Sequence, residues 1–484
     1  MAGDVDVVIV GAGISGIGVA RALKISSPGT TFRILEARDA IGGTWDLFRY
    51  PGVRSDSDLY TFGYQFRPWT DADSIASGAS ILDYLRRTVA EEGIEEHISL
   101  QRRVVSAEWS SRTGLWTVQV RTGGSDAVET LTAAWLFCAG GYYRYDEGYR
   151  AEIPGLDRFQ GQRVHPQHWP EDLRYDGKRV VVIGSGATAV TLVPALAKEA
   201  VRVTMVQRTP GYILSAPAAD KMAARLRRVF GDRAGHRMAR AKNIAQQRVL
   251  WLFCRRFPKQ ARRLIRWTVA KQLPPGYPVD VDFDPPYNPW DQRLCIVPDG
   301  DLFASMREGR VEVVTDRIAT VTETGLTLGS GREIGADIIV TATGLSVLVF
   351  GGIALRVDGE EVLLPDRVAY KGIMLDGVPN FAFAIGYTNA SWTLKVGLLA
   401  DYFCRLLTNM AEHGYTTVTP RRPAGMETRP LLDFAAGYVT RAADALPRQG
   451  AEDEWRMSMN YYADVRNLRR GRVRSPSLQF GRAG

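Results

Sequence analysis

This chain of 484 residues is poor in the residues that would tie it to several large protein classes. Its four cysteines, Cys138, Cys254, Cys295 and Cys404, lie far apart with no CxxC pair. Neither a disulfide framework nor a zinc site is expected, and the thiols read as those of a reducing, cytoplasmic compartment. Histidine is almost as rare. Of five, only His165 and His168 are close, and no third ligand is spaced beside them, so no metal is expected. Lysine supplies nine of 61 cations, a bias that fits a GC-rich genome better than a need for guanidinium chemistry. Long apolar runs are wanting too. The extended uncharged stretch from Ile338 to Leu355 carries Thr341, Thr343, Gly344, Gly351 and Gly352, and it reads as a buried strand and turn. At the N-terminus an apolar run passes straight into a glycine turn, without the pattern of a signal peptide.

What is present is ordinary globular composition, 45% apolar and 24% charged. The length exceeds the roughly 250–300 residues that one core serves, so two or three domains are expected. The net charge of +8 is unevenly spread. Between Asp220 and Pro275 stand sixteen Lys and Arg against two acids, a net of +14, and the remainder is acidic on balance. This is a local basic region, and no nucleic-acid partner is read from it. Leu250, Trp251, Phe253, Leu264, Ile265 and Trp267 interrupt the arginines, as expected of a helical insert over 215–285. Its exterior is either a solvated helical face or a peripheral contact for an anionic membrane.

Asp6-Val7-Val8-Ile9-Val10 is a short β-branched run closed by Gly11-Ala12-Gly13-Ile14-Ser15-Gly16; a helix to about Leu23 and a second strand ending in Glu36 follow. Strand, GxGxxG, helix, strand, acid is the grammar of a dinucleotide-binding unit. Gly11 permits the tight turn, Gly13 lets the backbone approach a pyrophosphate, and Gly16 lets helix and strand pack closely. The helix N-terminus, with Ser15 in its first turn, offers unpaired N–H groups to phosphate, and Glu36 can accept from a ribose diol. The grammar recurs at 179–183, Gly184-Ser185-Gly186-Ala187-Thr188-Ala189 and 201–206, but here the strand ends in Gln207-Arg208-Thr209-Pro210. An acid would repel a 2′-phosphate, whereas Arg208 can pair with one and Thr209 can add a hydroxyl. The first site suits FAD and the second NADPH.

A chain holding flavin and nicotinamide can be a disulfide reductase, a hydroxylase or a monooxygenase. The first needs a redox cysteine pair after the first unit, and none is there. Instead Gly42-Gly43-Thr44-Trp45-Asp46-Leu47-Phe48-Arg49-Tyr50-Pro51-Gly52-Val53-Arg54-Ser55-Asp56 follows, and later Phe159, Gly161, His165, Trp169 and Pro170. As GGxWxxxxYPGxxxD and FxGxxxHxxxWP these resemble the two fingerprints of type I Baeyer–Villiger monooxygenases. The resemblance covers nearly the whole chain. Through residues 42–58, 165–172 and 287–295 it points to the short subgroup typified by an ethionamide-activating monooxygenase.

The resemblance implies that NADPH reduces FAD, that O₂ adds at the flavin C4a, and that the peroxyflavin inserts one oxygen beside a ketone carbonyl, giving an ester or lactone, with sulfoxidation alongside. It implies flavin contacts at Thr44, Trp45, Asp46, Leu47 and Val104, with Asp56 beside the isoalloxazine and Arg54 and Ser55 toward the nicotinamide. It places the catalytic arginine at Arg293, oriented by Asp56 and stabilising first the peroxyflavin and then the oxyanion. Without the resemblance, Arg293 would read as a surface arginine paired with Asp291, and Trp45 as core. Many family members carry lysine before this arginine as a second 2′-phosphate contact; Gln292 stands there, leaving the preference to Arg208. His165 and Trp169, in the linker into the second domain, read either as a hinge or as purely structural. Residues 386–392 precede a helix whose N-terminus is expected at the flavin pyrimidine edge.

The expected architecture is α/β with two Rossmann-like domains. Residues 1–144 and 341–440 form the FAD domain, and 145–340 the NADPH domain, inserted through crossings at 135–141 and 338–344. Residues 441–484 are expected to be a loosely held, arginine-rich tail. The expected function is a cytoplasmic, FAD- and NADPH-dependent Baeyer–Villiger monooxygenase acting on a small ketone or sulfide with O₂. A flavin-containing monooxygenase oxidising nitrogen or sulfur is the nearest alternative, and a flavoprotein that only senses NADPH is another.

Overall fold

Residues 3–125, 127–432, 435–451 and 454–482 are described in a computed structural model of the chain. Val7, Val8 and Ile9 are wholly buried, so Val5–Val10 is the central kind of strand that a parallel sheet covers on both faces. It pairs with Phe32–Leu35 on one side and with the C-terminal half of Val128–Cys138 on the other, and Ile14–Ser26 makes the crossover. The N-terminal half of Val128–Cys138 runs antiparallel to Leu115–Thr122, which pairs in turn with Arg102–Ser110. Phe381–Phe383 returns from far along the chain to pair with residues 136–138. The helix Trp392–His413 packs against Ile14–Ser26, with Leu398, Leu399, Tyr402, Phe403 and Leu406 buried. One unit is thus built from both ends of the sequence.

The second sheet has five parallel strands in the order Val311–Thr315, Arg202–Gln207, Arg179–Ile183, Ile338–Thr341 and Gln162–Val164. Ala187–Leu196 is the crossover after Arg179–Ile183. The uncharged stretch from Ile338 is a buried strand, followed by a turn at Val349–Gly352. The basic segment forms Lys221–Arg256, broken at Gly231 (φ 76°), and Pro258–Ala270. Ala261, Ile265 and Val269 recur every four residues and bury the inner stripe of the latter. No helix among the described residues is long and apolar enough to cross a membrane.

The expectation of a loosely held tail beyond residue 440 is overturned. Leu478–Gly481 pairs antiparallel with Thr417–Pro420, and Arg448–Gly450 with Thr428–Pro430. Trp455, Met457 and Leu468 are buried. Asp464, 3% exposed, holds Lys395 at 2.7 Å and accepts from the Tyr387 hydroxyl at 2.6 Å. These anchors are single residues scattered among polar ones, so no periodicity announces them. Among its arginines, Arg469 meets Asp401 at 2.6 Å and Arg474 lies over Tyr415. Residues 452–453 and 483–484 of this segment lie outside the described residues.

Candidate active site

Both glycine loops open onto one cleft of about 1840 Å³. Gly11 has φ +99°, and an added Cβ would sit 3.0 Å from the Gly140 Cα, so the turn requires glycine. At Gly16 a Cβ would fall 1.9 Å from the Gly11 carbonyl oxygen, the close helix–strand approach that the motif implies. Gly13 faces open space, its hypothetical Cβ 3.8 Å from the nearest atom, and Gly186 has nothing within 4 Å. Ile14–Ser26 and Ala187–Leu196 start at Gly13 and Gly186 with no side-chain cap, so unpaired N–H groups and positive dipole ends meet the cleft. Ser15 also lines it and accepts from the Trp392 indole N–H at 2.9 Å.

Glu36, 5% exposed, stands just past Phe32–Leu35 and lines the cleft. Its carboxylate accepts from the Ala12 and Arg38 N–H groups at 2.7 and 2.9 Å; burial nevertheless pushes its pKa up. In the second unit Gly184 has φ +141°, and Ser185 Oγ donates to the Thr209 carbonyl at 2.9 Å. Arg208 is exposed at the cleft edge, with no carboxylate partner among the described residues. Two uncapped helix ends, two glycines with room for phosphate, a carboxylate at one ribose position and a free cation at the other fit two dinucleotides.

Gly43 (φ +56°) turns the fingerprint segment into the short helix Thr44–Leu47. Thr44 Oγ1 lies 3.0 Å from the Tyr145 hydroxyl, and Trp45 meets Phe62 edge-on at 5.6 Å. Thr44, Trp45, Leu47, Arg54, Ser55, Asp56, Val104, Thr188 and Ala187 all line the cleft. Arg54 is engaged with Asp301 at 2.5 Å, and Ser55 Oγ donates to the Ser57 carbonyl at 2.7 Å. Arg293 Nε donates to Asp56 Oδ2 at 3.0 Å, joining the fingerprint to the second unit. Asp291, the nearer carboxylate in sequence, pairs instead with Arg255 at 2.8 Å. Burial is the largest single influence and opposes the charge on Arg293, but Asp56 together with Tyr438, Tyr143 and Tyr142 outweighs it, and the arginine pKa rises above its ordinary range. Its Nη groups have no protein partner among the described residues, and Tyr142, Tyr143 and Tyr438 stand around it.

Four residues of the cofactor motifs, Gly16, Asp46, Ala189 and Gln207, do not line the cleft, and of these Asp46 was expected as a flavin contact. Gly16 is the packing point just described. Asp46, 2% exposed, is bound by Arg38 Nη2 at 2.5 Å. Ala189 is wholly buried in its helix. Gln207 donates to the Asp282 carbonyl and to Thr315 Oγ1, both at 2.8 Å. These four shape the site without lining it. His165 lines a small cavity with Phe48, Tyr50 and Gly344, where the chain crosses back to the first unit; its Nδ1 accepts from the Gln167 N–H at 3.2 Å and burial lowers its pKa. Trp169 packs edge-on against Tyr175 at 6.5 Å.

Sequence reasoning missed Tyr142, Tyr143, Tyr145, Tyr438 and Arg317, all on the cleft. The first three directly follow the crossing motif at 135–141, which was a usable signal. Tyr438 comes from the far end of the chain and has none. Arg317 follows Val311–Thr315, whose Thr315 is registered with Gln207, so it emerges beside Arg208 and Thr209 at the same sheet edge. It too has no carboxylate partner among the described residues.

Two dinucleotide-binding units opening on a shared cleft define a flavoprotein that also binds a nicotinamide nucleotide. Residues 64–353 match the flavin-binding monooxygenase-like family, and residues 9–72 match the NAD(P)-binding Rossmann-like domain. The chain is 50% identical over 479 residues to the FAD-containing monooxygenase EthA of Mycobacterium tuberculosis, spanning 99% of this chain and 98% of that one. Solved structures of a steroid monooxygenase bound to NADP and of ε-caprolactone-bound cyclohexanone monooxygenase share the fold. Their TM-scores are both 0.75, at 22% and 21% identity, over 99% and 98% of this chain and 99% of each of those chains. The chain belongs to the flavin-binding monooxygenase-like family, is related over its whole length to an FAD-containing monooxygenase, and carries an NAD(P)-binding Rossmann-like domain.

Proposed function

We propose that the chain is a type I Baeyer–Villiger monooxygenase, converting a ketone, O₂, NADPH and a proton to an ester or lactone, water and NADP⁺. The observation that carries this is Arg293, held by Asp56 at 3.0 Å inside the cleft with its Nη donors free. FAD, once reduced by NADPH, supplies the oxygen-activating chemistry. The chain does the rest. The uncapped N-termini of Ile14–Ser26 and Ala187–Leu196 take the phosphates, Glu36 the flavin-nucleotide ribose, and Arg208 the 2′-phosphate. Arg293 stays charged and offers its Nη donors to the substrate carbonyl oxygen, where negative charge grows as that carbon becomes tetrahedral. Asp56 fixes the guanidinium plane and is a positioning residue. Tyr142, Tyr143 and Tyr438 restrict water around it.

Oxygen transfer to a sulfide needs no oxyanion, so sulfoxidation fits the same cleft. An enzyme restricted to nitrogen or sulfur centres would leave the Arg293–Asp56 pair without a task. Ester formed per NADPH consumed, measured over linear, cyclic and aryl ketones and one sulfide, tests the proposal. Near-stoichiometric ester from any of the ketones supports it; peroxide as the sole product with all of them overturns it. We also take the enzyme to be cytoplasmic.

A further inference from the structure

The insert exposes apolar side chains where a soluble helix would be polar. Sixteen large hydrophobic residues are exposed among the described residues, and ten of them lie between Met222 and Val281. The densest run, Val249, Leu252, Phe257, Leu264 and Trp267, occupies the end of Lys221–Arg256 and the outer side of Pro258–Ala270, with Leu264 at 50% and Trp267 at 54% exposure. Ala261, Ile265 and Val269 take the inner side, so this apolar surface is surplus to the core.

The charges in the same stretch sort into two sets. Arg255, Arg262 and Arg266 are matched by Asp291, Asp284 and Asp280 at 2.8 Å each. Arg248, Arg256, Lys259, Arg263 and Lys271 have no carboxylate partner among the described residues. Three of these lie over aromatic faces: Lys271 Nζ is 3.6 Å from the Trp267 ring centre, Arg248 is 4.6 Å from Trp251 and Arg256 is 5.4 Å from Phe257. Unpaired cations interleaved with half-exposed tryptophan, phenylalanine and leucine match an anionic interface, where headgroups take the charge and the rings settle at the acyl boundary.

We propose that residues 248–271 dock on an anionic lipid surface, and that docking sets the oxygenation site beside the bilayer so that its substrates are apolar, bilayer-partitioned ketones. The link between the two is short. Arg255, within this segment, holds Asp291 at 2.8 Å, two residues before Arg293. The docking half stands on the surface chemistry alone, and the substrate half rests on the oxygenation proposed above.

Flotation of the full-length holoenzyme with phosphatidylcholine vesicles, with and without phosphatidylglycerol, tests the docking. Binding is expected to the anionic vesicles, weakening as salt is raised. It should fall about tenfold in Leu264→Ser/Trp267→Ser and in Arg256→Glu/Lys259→Glu/Arg263→Glu, each change removing interfacial contacts or charges. FAD content and turnover of a short soluble ketone should stay wild-type in both variants, which shows that they fold. Absence from both kinds of vesicle, or binding that neither variant weakens, overturns the docking. So does a dimer in sedimentation that the variants dissolve, because a second copy would then cover this face. For the substrate half, a long-chain ketone carried in anionic vesicles should show a KM about tenfold higher in the variants with kcat unchanged. An unaltered KM overturns it. Loss of ester from every ketone with flotation intact would instead strike the oxygenation reading and leave the docking standing.

Discussion

Replacing Arg293 by alanine separates ketone oxygenation from cofactor chemistry. In the wild-type cleft Asp56 engages only Nε, so both Nη groups remain to face a developing oxyanion. Losing one preorganised donor at such a position typically costs about 2.7–4 kcal/mol, or roughly 10²–10³ in rate. The substitution also strands Asp56, whose side chain is 15% exposed, as an unpaired carboxylate within the cleft. That charge repels the negative charge that the reaction builds nearby, so the upper end of the range, about 10³, is expected. FAD and NADPH should still bind, because the glycine loops at 11–16 and 184–189 are untouched. One reaction mixture provides the assay: NADPH loss by absorbance, peroxide by a coupled peroxidase, ester by chromatography. NADPH consumption should persist and pass into peroxide while ester disappears. Adding Asp56→Asn to Arg293→Ala should recover part of the loss by removing the stranded charge, a non-additivity expected of residues in contact. Near-wild-type ester formation by Arg293→Ala would refute the assignment of the arginine.

Arg208→Ala should weaken NADPH binding by roughly ten- to a hundredfold in calorimetry and leave NADH nearly unchanged, since one charge-assisted phosphate bond is lost. Arg317→Ala, just past the end of the neighbouring strand, should act in the same direction; equal losses for both cofactors would remove either residue from 2′-phosphate recognition. Lys395→Met leaves Asp464 charged and buried, so denaturant unfolding should show a loss of about 3–5 kcal/mol, largely restored by adding Asp464→Leu. His236 is wholly buried, and burial first, then Arg240 and Arg227, lower its pKa to about 4. The unfolded chain therefore takes up the proton first. Stability should be complete above pH ~6.5 and fall, by on the order of 3 kcal/mol, as pH drops toward 4. His236→Phe should flatten that acid-side slope in thermal melts, and an unchanged slope would rule the histidine out as its source.

The fold is legible in the sequence wherever a local pattern repeats. Two strand–glycine–helix–strand units are readable because a turn at positive φ and a close helix approach admit few residues at Gly11, Gly16 and Gly184, and the observed Cβ clashes are the same constraint seen from the structure. The integrated C-terminal segment is not legible. Its hold on the core comes through Trp455, Asp464 and Leu468 one at a time, and a lone aspartate amid arginines looks solvated until Lys395 and Tyr387 are brought to it from the first unit.

The site divides along a similar line, and Arg293 shows why. Local sequence offers it Asp291, two residues away, which is the pairing that short-range reasoning prefers. Its observed partner, Asp56, is 237 residues distant. A third residue stands beside this choice: Arg255, from the helical insert, holds Asp291 while Arg293 pairs with the fingerprint carboxylate. An ion pair formed this way depends on where the insert sits relative to both units. Among the described residues, Arg255 alone of the insert's arginines is thereby tied to the segment that carries Arg293, and fingerprint spacing does not reveal that tie. Arg255→Ala would free Asp291 to compete for the guanidinium. Ester yield per NADPH should then fall while Asp56 and Arg293 both remain in place, and a yield equal to wild-type would show that the pairing with Asp56 holds without help from the insert.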